Sequence, residues 1–135
     1  MSIPKRLQDC KIHFSFEDLE VWQKAIDFAG LVIKLCGNIE TDRKHFRLIE
    51  QLEAAATSVA LNIAEGKGRQ YTKEFIQFLH IAQGSIFEVV TLNAVFYRRK
   101  LFSSEEAGSV RKRCEDIDRK LNGLINSLRG RKRIV

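Results

Sequence analysis

The chain of 135 residues is long enough for one domain with a sizeable core. Its content of hydrophobic residues, 44%, is ordinary for a globular protein, and its formal net charge is +6. A single proline, long periodic apolar patterns and the lack of an alternating strand pattern exclude most β architectures and predict an all-helical fold. No apolar run approaches the ~20 residues that span a membrane, and the N-terminal sequence MSIPKRLQDCK lacks the apolar core of a signal peptide, so we expect no membrane contact and a cytoplasmic location.

Residues 1–13 are polar and show no clear period, which is typical of a flexible or loosely docked arm. The first predicted helix, about 16–36, is announced by Ser15, which can cap its N-terminus with Asp18 as the capping-box partner three residues later. Apolar residues then recur at steps of three and four until Gly37, where the predicted helix stops.

The second predicted helix, about 42–66, contains the stretch QLEAAATSVALNIAEGKGR (residues 51–69), whose side chains are apolar or small around nearly the whole circumference. Such a helix is normally buried, so we predict a central helix with partners on more than one side. Gly66 and Gly68 are expected to end it, since glycine readily adopts the left-handed conformation that closes a helix.

The third predicted helix, about 72–100, begins with Thr72 as its cap. It carries apolar residues on a core stripe, which Asn93 interrupts, and also on the opposite side, so one neighbouring helix cannot cover them all. Gly84 in mid-helix costs roughly 1 kcal/mol relative to alanine. A close helix crossing at Gly84 and Ser85 would offset that loss.

The fourth predicted helix, about 103–129, opens with a full capping box formed by Ser103 and Glu106. Its apolar residues recur at steps of three and four without a break, and its outer face carries basic residues mixed with acids. Gly130 is expected to close it, which leaves residues 130–135 as a basic tail.

Residues 14–129 are therefore predicted to form a single antiparallel, up-down-up-down four-helix bundle, because short connections place consecutive helices side by side. The second and third helices carry more apolar and small surface than a four-helix monomer can bury. Exposed surface of this kind marks association sites, so we predict a homo-oligomer.

The cysteines and histidines show no metal-ligand spacing, so no metal and no cofactor are predicted. The cysteines lack a CxxC pair, and two of them lie on apolar helix stripes, so buried free thiols are expected. These residues are Cys10, Cys36, Cys114, His13, His45 and His80.

Three segments of the chain resemble bacterial four-helix-bundle proteins related to those encoded in 23S ribosomal RNA intervening sequences. The segments are FEDLEVWQKA (16–25), QLEAAATSVALNIAEGKGR (51–69) and EFIQFLHIAQGSIFE (74–88), and the resemblance covers roughly residues 14–128. It implies a ring-shaped homopentamer of bundles. It also implies relatives that act as accessory proteins of diversity-generating retroelements, where they bind the reverse transcriptase and nucleic acid.

Basic residues are concentrated in the C-terminal quarter. Residues 98–135 hold twelve Lys or Arg and five Asp or Glu, a net charge of +7, whereas residues 1–97 hold eleven and twelve, a net charge of −1. A local excess favours a polyanionic partner such as RNA. The alternative is a solvated helix face with internal ion pairs, of which Glu115 with Arg119 is an example. The candidate nucleic-acid-binding residues are Arg98, Arg99, Lys100, Arg111, Lys112, Arg113, Arg119, Lys120, Arg129, Arg131, Lys132 and Arg133.

Glu65 and Glu88 are two acids on helices that are otherwise apolar or small in side chain. One interpretation is a pair of catalytic carboxylates, but no nucleophile, phosphate loop or metal spacing accompanies them. Because buried charges are expensive unless paired, we prefer a hydrogen-bonded cluster that fixes helix register, with Glu65→Gln altering stability or assembly by about 1–3 kcal/mol. The structural polar cluster consists of Ser58, Asn62, Glu65, Arg69, Ser85 and Glu88.

Taken with the resemblance, these patterns predict a non-enzymatic helical oligomer, a pentamer by the resemblance, that binds RNA through its basic C-terminal surface. Its sharper form is an accessory subunit that works with a reverse transcriptase in a diversity-generating retroelement. The alternative is a structural ring of the 23S rRNA intervening-sequence type, with a protein partner and no direct role in nucleic-acid binding.

Overall fold

The computed structural model describes residues 12–40 and 44–133, with the backbone alone for residues 131–133. Within these ranges the chain forms four α-helices after a short 3-10 turn at Ser15–Asp18, and it forms no strand. The predicted all-helical class is confirmed. Most of the predicted N-terminal arm, the start of the second predicted helix and the end of the predicted tail lie outside the described residues. The helices are α1 (Glu20–Gly37), α2 (Phe46–Lys67), α3 (Thr72–Arg98) and α4 (Ser104–Arg133).

Each helix packs against two others around one core, since both α1 and α3 contact α2 and α4. Side chains from all four helices and from the turn between α3 and α4 are fully buried there. Each such side chain contributes about 1.5–3 kcal/mol relative to leaving it exposed, so this core is the main source of stability. The largest are Phe28, Leu52, Ile63, Leu79, Ile86, Phe96, Phe102, Ile117, Leu121 and Ile125.

The first helix starts later than predicted because a backbone turn precedes it. Ser15 lies in the 3-10 turn, and Leu19 is extended (φ −73°, ψ 121°), so α1 begins only after it. The prediction that Ser15 caps this helix, with Asp18 as its capping-box partner, is wrong. The Glu17 carboxylate instead accepts a hydrogen bond from the Phe14 N–H, at 3.0 Å.

The predicted caps of the last two helices have different outcomes. Tyr71, not Thr72, is the N-cap residue of α3, and no side chain caps this helix. The capping box of α4 is confirmed. Its Glu106 N–H donates to the Ser103 hydroxyl at 3.1 Å, and the Ser103 N–H donates to the Glu106 carboxylate at 2.8 Å.

Glycine does not close these helices through the left-handed conformation, because no described glycine has a positive φ. The prediction that Gly130 ends the last helix is wrong, since α4 continues past it. The residue that follows α2, Gly68, has a right-handed backbone (φ −78°, ψ −5°). Among the described non-glycine residues, Lys100 alone has a positive φ (62°), and it turns the chain after α3, which ends at Arg98.

Gly66 is required by close packing of α2 on α3. A Cβ atom added there would lie 2.6 Å from Phe78 Cβ, closer than side chains can approach, and 3.0 Å from Phe75 Cδ1, which is a tight contact. Gly84 differs, because no described atom lies within 4 Å of a Cβ added to it. The close crossing predicted at Gly84 is therefore not formed between the described helices, and the crossing at Gly66 is the tight one.

Gly66→Ala is expected to lower the free energy of unfolding by about 1–3 kcal/mol, because the backbone that carries Phe78 would have to move. Gly123→Ala is the matched control, since this helical glycine has open space around an added Cβ. Alanine there should leave stability unchanged or raise it by up to about 1 kcal/mol. Urea unfolding followed by circular dichroism measures both changes. Equal stability of the two variants would contradict the tight crossing.

By length and composition alone, α3 could cross a membrane, a property that the sequence-based expectation missed. Core helices of soluble proteins can have the same length and apolar composition. Within this fold α3 packs on both α2 and α4, and 39% of its most apolar window is buried. We therefore interpret α3 as a core helix.

Two of the predicted free thiols are confirmed, since Cys36 and Cys114 are buried and form no disulfide. Burial raises the pKa of each thiol to about 12. Because the thiolate is the reactive form, these two cysteines are structural and unreactive near neutral pH. Cys10 lies outside the described residues.

Candidate nucleic-acid interface

The basic residues of α4 face several directions. Successive residues of an α-helix are about 100° apart, so Arg111, Lys112 and Arg113 fan out over about 200° around α4. Arg111 lines a groove between α3 and α4, whereas Lys112 and Arg113 line a groove between α1 and α4. The predicted nucleic-acid-binding residues therefore do not form one patch.

The groove between α1 and α4, of about 590 Å³, brings together basic residues from both helices. A second groove, with Asp27 and Arg113 in common, continues it along α1. Five cations against three acids give this surface a net charge of +2. We call it the α1–α4 face, and it consists of Lys24, Lys34, Lys112, Arg113 and Arg119 with the acids Asp27, Glu115 and Asp116.

Two ion pairs join α1 to α4, one within this face and one beside it. Lys120 Nζ lies 2.8 Å from the Glu20 carboxylate, and Lys24 Nζ lies 3.7 Å from the Asp116 carboxylate. The hydrogen bond between Lys120 and Glu20 raises the pKa of the lysine and lowers the pKa of the acid. Lys120, a predicted nucleic-acid-binding residue, is thus already paired within the chain.

Three cations of the α1–α4 face, Lys112, Arg113 and Arg119, form no ion pair with any described residue. The predicted pair of Glu115 with Arg119 is not formed. Glu115 pairs instead with Arg111, one turn in the other direction, at 3.4 Å. This pairing leaves the Arg119 guanidinium in the groove, where a phosphate can reach it.

Sequence reasoning missed the contribution of α1 to this surface. Lys24 and Lys34 lie on the walls of the grooves, but they are far in sequence from the basic quarter of the chain. The sequence around them shows only that they lie off the apolar stripe of the first helix. It does not reveal that α4 packs beside them.

The remaining predicted residues lie elsewhere on the molecule. Arg98 lines the groove between α3 and α4, and Arg99 and Lys100 follow it in the turn. Arg129 donates a hydrogen bond to His80 of α3, at 3.2 Å, and lies about 24–27 Å along α4 from Arg111, Lys112 and Arg113. The side chains of Arg131, Lys132 and Arg133 lie outside the described residues.

The predicted polar cluster forms in part where α2 meets α3. The Ser58 hydroxyl donates a hydrogen bond to the Ser85 hydroxyl across the two helices. The Asn62 amide donates to the Ser58 carbonyl oxygen of its own helix, at 2.7 Å. Glu88 is exposed and makes no hydrogen bond or ion pair with a described residue, so it does not belong to the cluster.

Glu65 and Arg69 form a surface ion pair, which corrects the expectation of a buried one. The two groups are 2.8 Å apart, and 56% of the Glu65 side chain and 41% of the Arg69 side chain are exposed. The Arg69 guanidinium also lies 4.7 Å from the centre of the Phe78 ring. The expectation was wrong because the outer side of α2 is open to solvent in the single chain.

Glu65→Gln is therefore expected to lower the free energy of unfolding of the single chain by less than about 1 kcal/mol, which is the range of exposed ion pairs. Arg69→Gln removes the same pair and also the contact with Phe78, so its effect should be larger by about 0.5–1 kcal/mol. Urea unfolding of both variants at low protein concentration tests this order. A loss above about 2 kcal/mol for Glu65→Gln would mean that Glu65 is buried in the working protein.

A polar network between α3 and α4 was not predicted. Gln83 is only 8% exposed, and its Nε2 donates to Asp118 Oδ1 at 3.1 Å and to Asn122 Oδ1 at 2.7 Å. His80 Nδ1 lies 3.0 Å from Gln83 Oε1, and Arg129 contacts the other ring nitrogen. The available signal was a glutamine beside an apolar stripe. Satisfied buried groups of this kind fix the register of two helices.

Comparison with known proteins agrees with this helical fold. A family model described as 23S rRNA-intervening sequence protein matches residues 17–123, which is most of the chain. The chain is also similar to a crystal structure, at 1.70 Å resolution, of a protein with unknown function from the S23 ribosomal protein family of Bacteroides thetaiotaomicron VPI-5482. The two are 25% identical over 78% of this chain and 97% of that one, with a TM-score of 0.73. No curated protein matches the chain.

Proposed function

We propose that this chain, which belongs to the family of 23S rRNA-intervening sequence proteins, is a non-enzymatic cytoplasmic protein that binds RNA through the α1–α4 face. The observation that carries the proposal is a groove whose Lys112, Arg113 and Arg119 have no acidic partner among the described residues. Basic side chains held on two rigid helices can contact successive phosphates of a strand. Such contacts give affinity but carry little sequence information.

RNA is proposed as the polyanion because the grooves bring together basic side chains that are unpaired among the described residues, while the family description names the 23S rRNA intervening sequences in which such proteins are encoded and states no ligand. The sharper form of the proposal is an accessory protein that binds a reverse transcriptase as well as RNA in a diversity-generating retroelement. Its support is the resemblance of the helices to such proteins. In that role the α1–α4 face contacts RNA and a different face contacts the enzyme.

We further propose that the helices form an antiparallel, up-down-up-down bundle and that bundles assemble into a ring, a pentamer by the resemblance. Short connections between consecutive helices support the antiparallel order. Exposed apolar and small residues on α2 and α3 support assembly, and we call them the α2–α3 face. This face consists of Ala54, Leu61, Ile81, Gly84 and Val95.

The α2–α3 face lies beside the hydrogen bond between the Ser58 and Ser85 hydroxyls. Leu61 is three residues from Ser58, and Ile81 is four residues from Ser85, so both lie on the same side of their helices as the bonded serines. Leu61 is 65% exposed and Ile81 is 48% exposed. A second copy that packs closely there would also explain a mid-helix glycine at position 84, which gains no contact within the single chain.

The alternative function is a structural ring that binds a protein partner and has no direct role in nucleic-acid binding. The same α2–α3 face favours it, because assembly does not require the basic groove. The two proposed functions differ in whether the chain binds RNA.

A titration of the whole chain with a fluorescent single-stranded RNA and a structured RNA at several salt concentrations separates them. RNA binding through three to five phosphate contacts should give a slope of log K against log salt of about −2 to −3.5 for the single strand. Unrelated sequences should bind with similar affinity. If neither RNA binds at low salt, the proposal is wrong and the structural ring becomes the leading function.

A further inference from the structure

A buried amide in the last two turns of α3 has a hydrogen-bonding atom without a partner among the described residues. Asn93 is only 5% exposed, and its Nδ2 donates to the Ala107 carbonyl oxygen of α4 at 2.9 Å. That bond fixes the orientation of the amide. Its other atom, Oδ1, is buried and has no donor among the described residues. Buried acceptors are nearly always hydrogen-bonded, so a donor from outside the chain is expected to fill this position.

Asn93 lines the groove between α3 and α4, which has a volume of about 420 Å³. This volume lies within the range of pockets that hold small ligands. The groove is also lined by Tyr97, Arg98, Ser104 and Arg111. It lies on the side of α4 that faces α3, whereas the α1–α4 face lies on the side that faces α1.

One end of the groove suits an anion. Arg98 forms no ion pair with a described residue, and Arg111 is held only by an exposed contact with Glu115 at 3.4 Å, which is a weak interaction in water. A phosphate here would gain two charge-assisted hydrogen-bonding partners.

The rest of the groove suits a planar ring that carries an N–H group. The Tyr97 ring is 50% exposed, and exposed aromatic rings stack on nucleobases in proteins that bind single strands. Asn93 Oδ1 has almost no exposed surface, so the side chains around it must shift slightly before it can accept a hydrogen bond from the edge of such a ring. A simple anion would occupy the arginines but would leave both the tyrosine and the amide oxygen without a partner.

We propose that the α3–α4 groove binds one nucleotide of the RNA. Its phosphate lies between Arg98 and Arg111, its base stacks on Tyr97, and an N–H group of the base donates to Asn93 Oδ1. The inference rests on the proposed RNA binding and gives the RNA a path. Because Arg111, Lys112 and Arg113 are consecutive, a strand can cross α4 from the α1–α4 face into this groove.

The test uses the full chain labelled with ¹⁵N, titrated with AMP, CMP, GMP and UMP, and separately with ribose 5-phosphate and inorganic phosphate. The Asn93 side-chain amide signals and the backbone signal of Tyr97 report occupation of the groove. Each nucleotide is expected to move both signals in a saturable way. The two probes without a base are expected to bind at least about tenfold more weakly, since they lack the stacking contact.

Variants separate the parts of the site without disturbing the core. Tyr97→Ala should weaken nucleotide binding by about tenfold, whereas Tyr97→Phe, which keeps the ring, should leave it unchanged. Arg98→Ala should weaken binding of nucleotides and of inorganic phosphate alike. Lys73→Ala is the matched control, because this exposed cation near the start of α3 does not line the groove, and it should bind as the unaltered chain does.

Two results would overturn the inference. Equal affinity for ribose 5-phosphate and the nucleotides would reduce the groove to a site for a simple anion. Asn93 signals that never move would mean that a buried water fills the position. The affinity for longer RNA distinguishes these failures from failure of the proposed function. If the chain binds RNA but no nucleotide, only the proposal for the α3–α4 groove is wrong. If the chain binds nucleotides but no longer RNA, the proposal that the α1–α4 face binds RNA is wrong.

Discussion

Changing Lys112, Arg113 and Arg119 together to alanine is expected to lower the affinity for single-stranded RNA by about a hundredfold at 0.1 M salt. Each phosphate contact to a single strand contributes about 0.7 to the slope of log K against log salt. Three lost contacts therefore remove about two decades of affinity between 0.1 M and 1 M salt, where electrostatic attraction is largely screened. The helices should remain folded, because all three side chains are exposed and make no ion pair with a described residue.

The measurement is a fluorescence titration of both proteins at four or more salt concentrations, and the slope should fall by about 2 in magnitude. A second triple variant, with Lys44, Arg47 and Lys73 changed to alanine, removes the same charge from exposed positions outside the α1–α4 face. That control should bind RNA almost as well as the unaltered chain. If both triple variants lose affinity equally, net charge alone explains binding and the groove has no special role.

Introducing aspartate at both Leu61 and Ile81 is expected to convert the assembly into single chains. These side chains are 65% and 48% exposed in the isolated chain, and the proposed ring buries them against another copy. A carboxylate without a partner in such an interface costs several kcal/mol. Since every interface of a ring repeats the change, the loss is multiplied over the whole assembly.

Light scattering at micromolar concentration measures the result. The unaltered chain should have a mass that is a multiple of 15.5 kDa, and the double variant should have a mass near 15.5 kDa. Ile33→Asp is the control, because Ile33 is 46% exposed but lies on α1, away from the α2–α3 face. A mass near 15.5 kDa for the unaltered chain would contradict assembly. An unchanged mass in the double variant would show that copies meet through another surface.

The helices were predictable because their signals are local. Ser103 and Glu106 are three residues apart and can bond only across one turn, so the pattern led directly to the observed capping box. The apolar spacing likewise identified core positions such as Leu121, which is fully buried. Features of this kind need no knowledge of which helices are neighbours.

The site was less predictable because it depends on packing between distant segments. Lys24 joins the basic groove only because α1 lies against α4. Gly66 was interpreted as a helix end, yet its role is to let Phe78 approach, a contact that no local pattern reveals. Glu65 was expected to be buried because its neighbours are small, but in a single chain that side of α2 faces solvent.

The polar network between α3 and α4 also determines where its hydrogen atoms lie. Gln83 uses its amide N–H groups on Asp118 and Asn122, so its oxygen is left to accept from His80 Nδ1, and that nitrogen must carry a hydrogen. The other ring nitrogen then accepts from Arg129, which can only donate. With Nδ1 donating and the other ring nitrogen accepting, the chain of donors and acceptors runs in a single direction from α4 through α3 and back. Glutamate has the shape of glutamine but no N–H group, so in place of Gln83 it could not donate to Asp118 and Asn122.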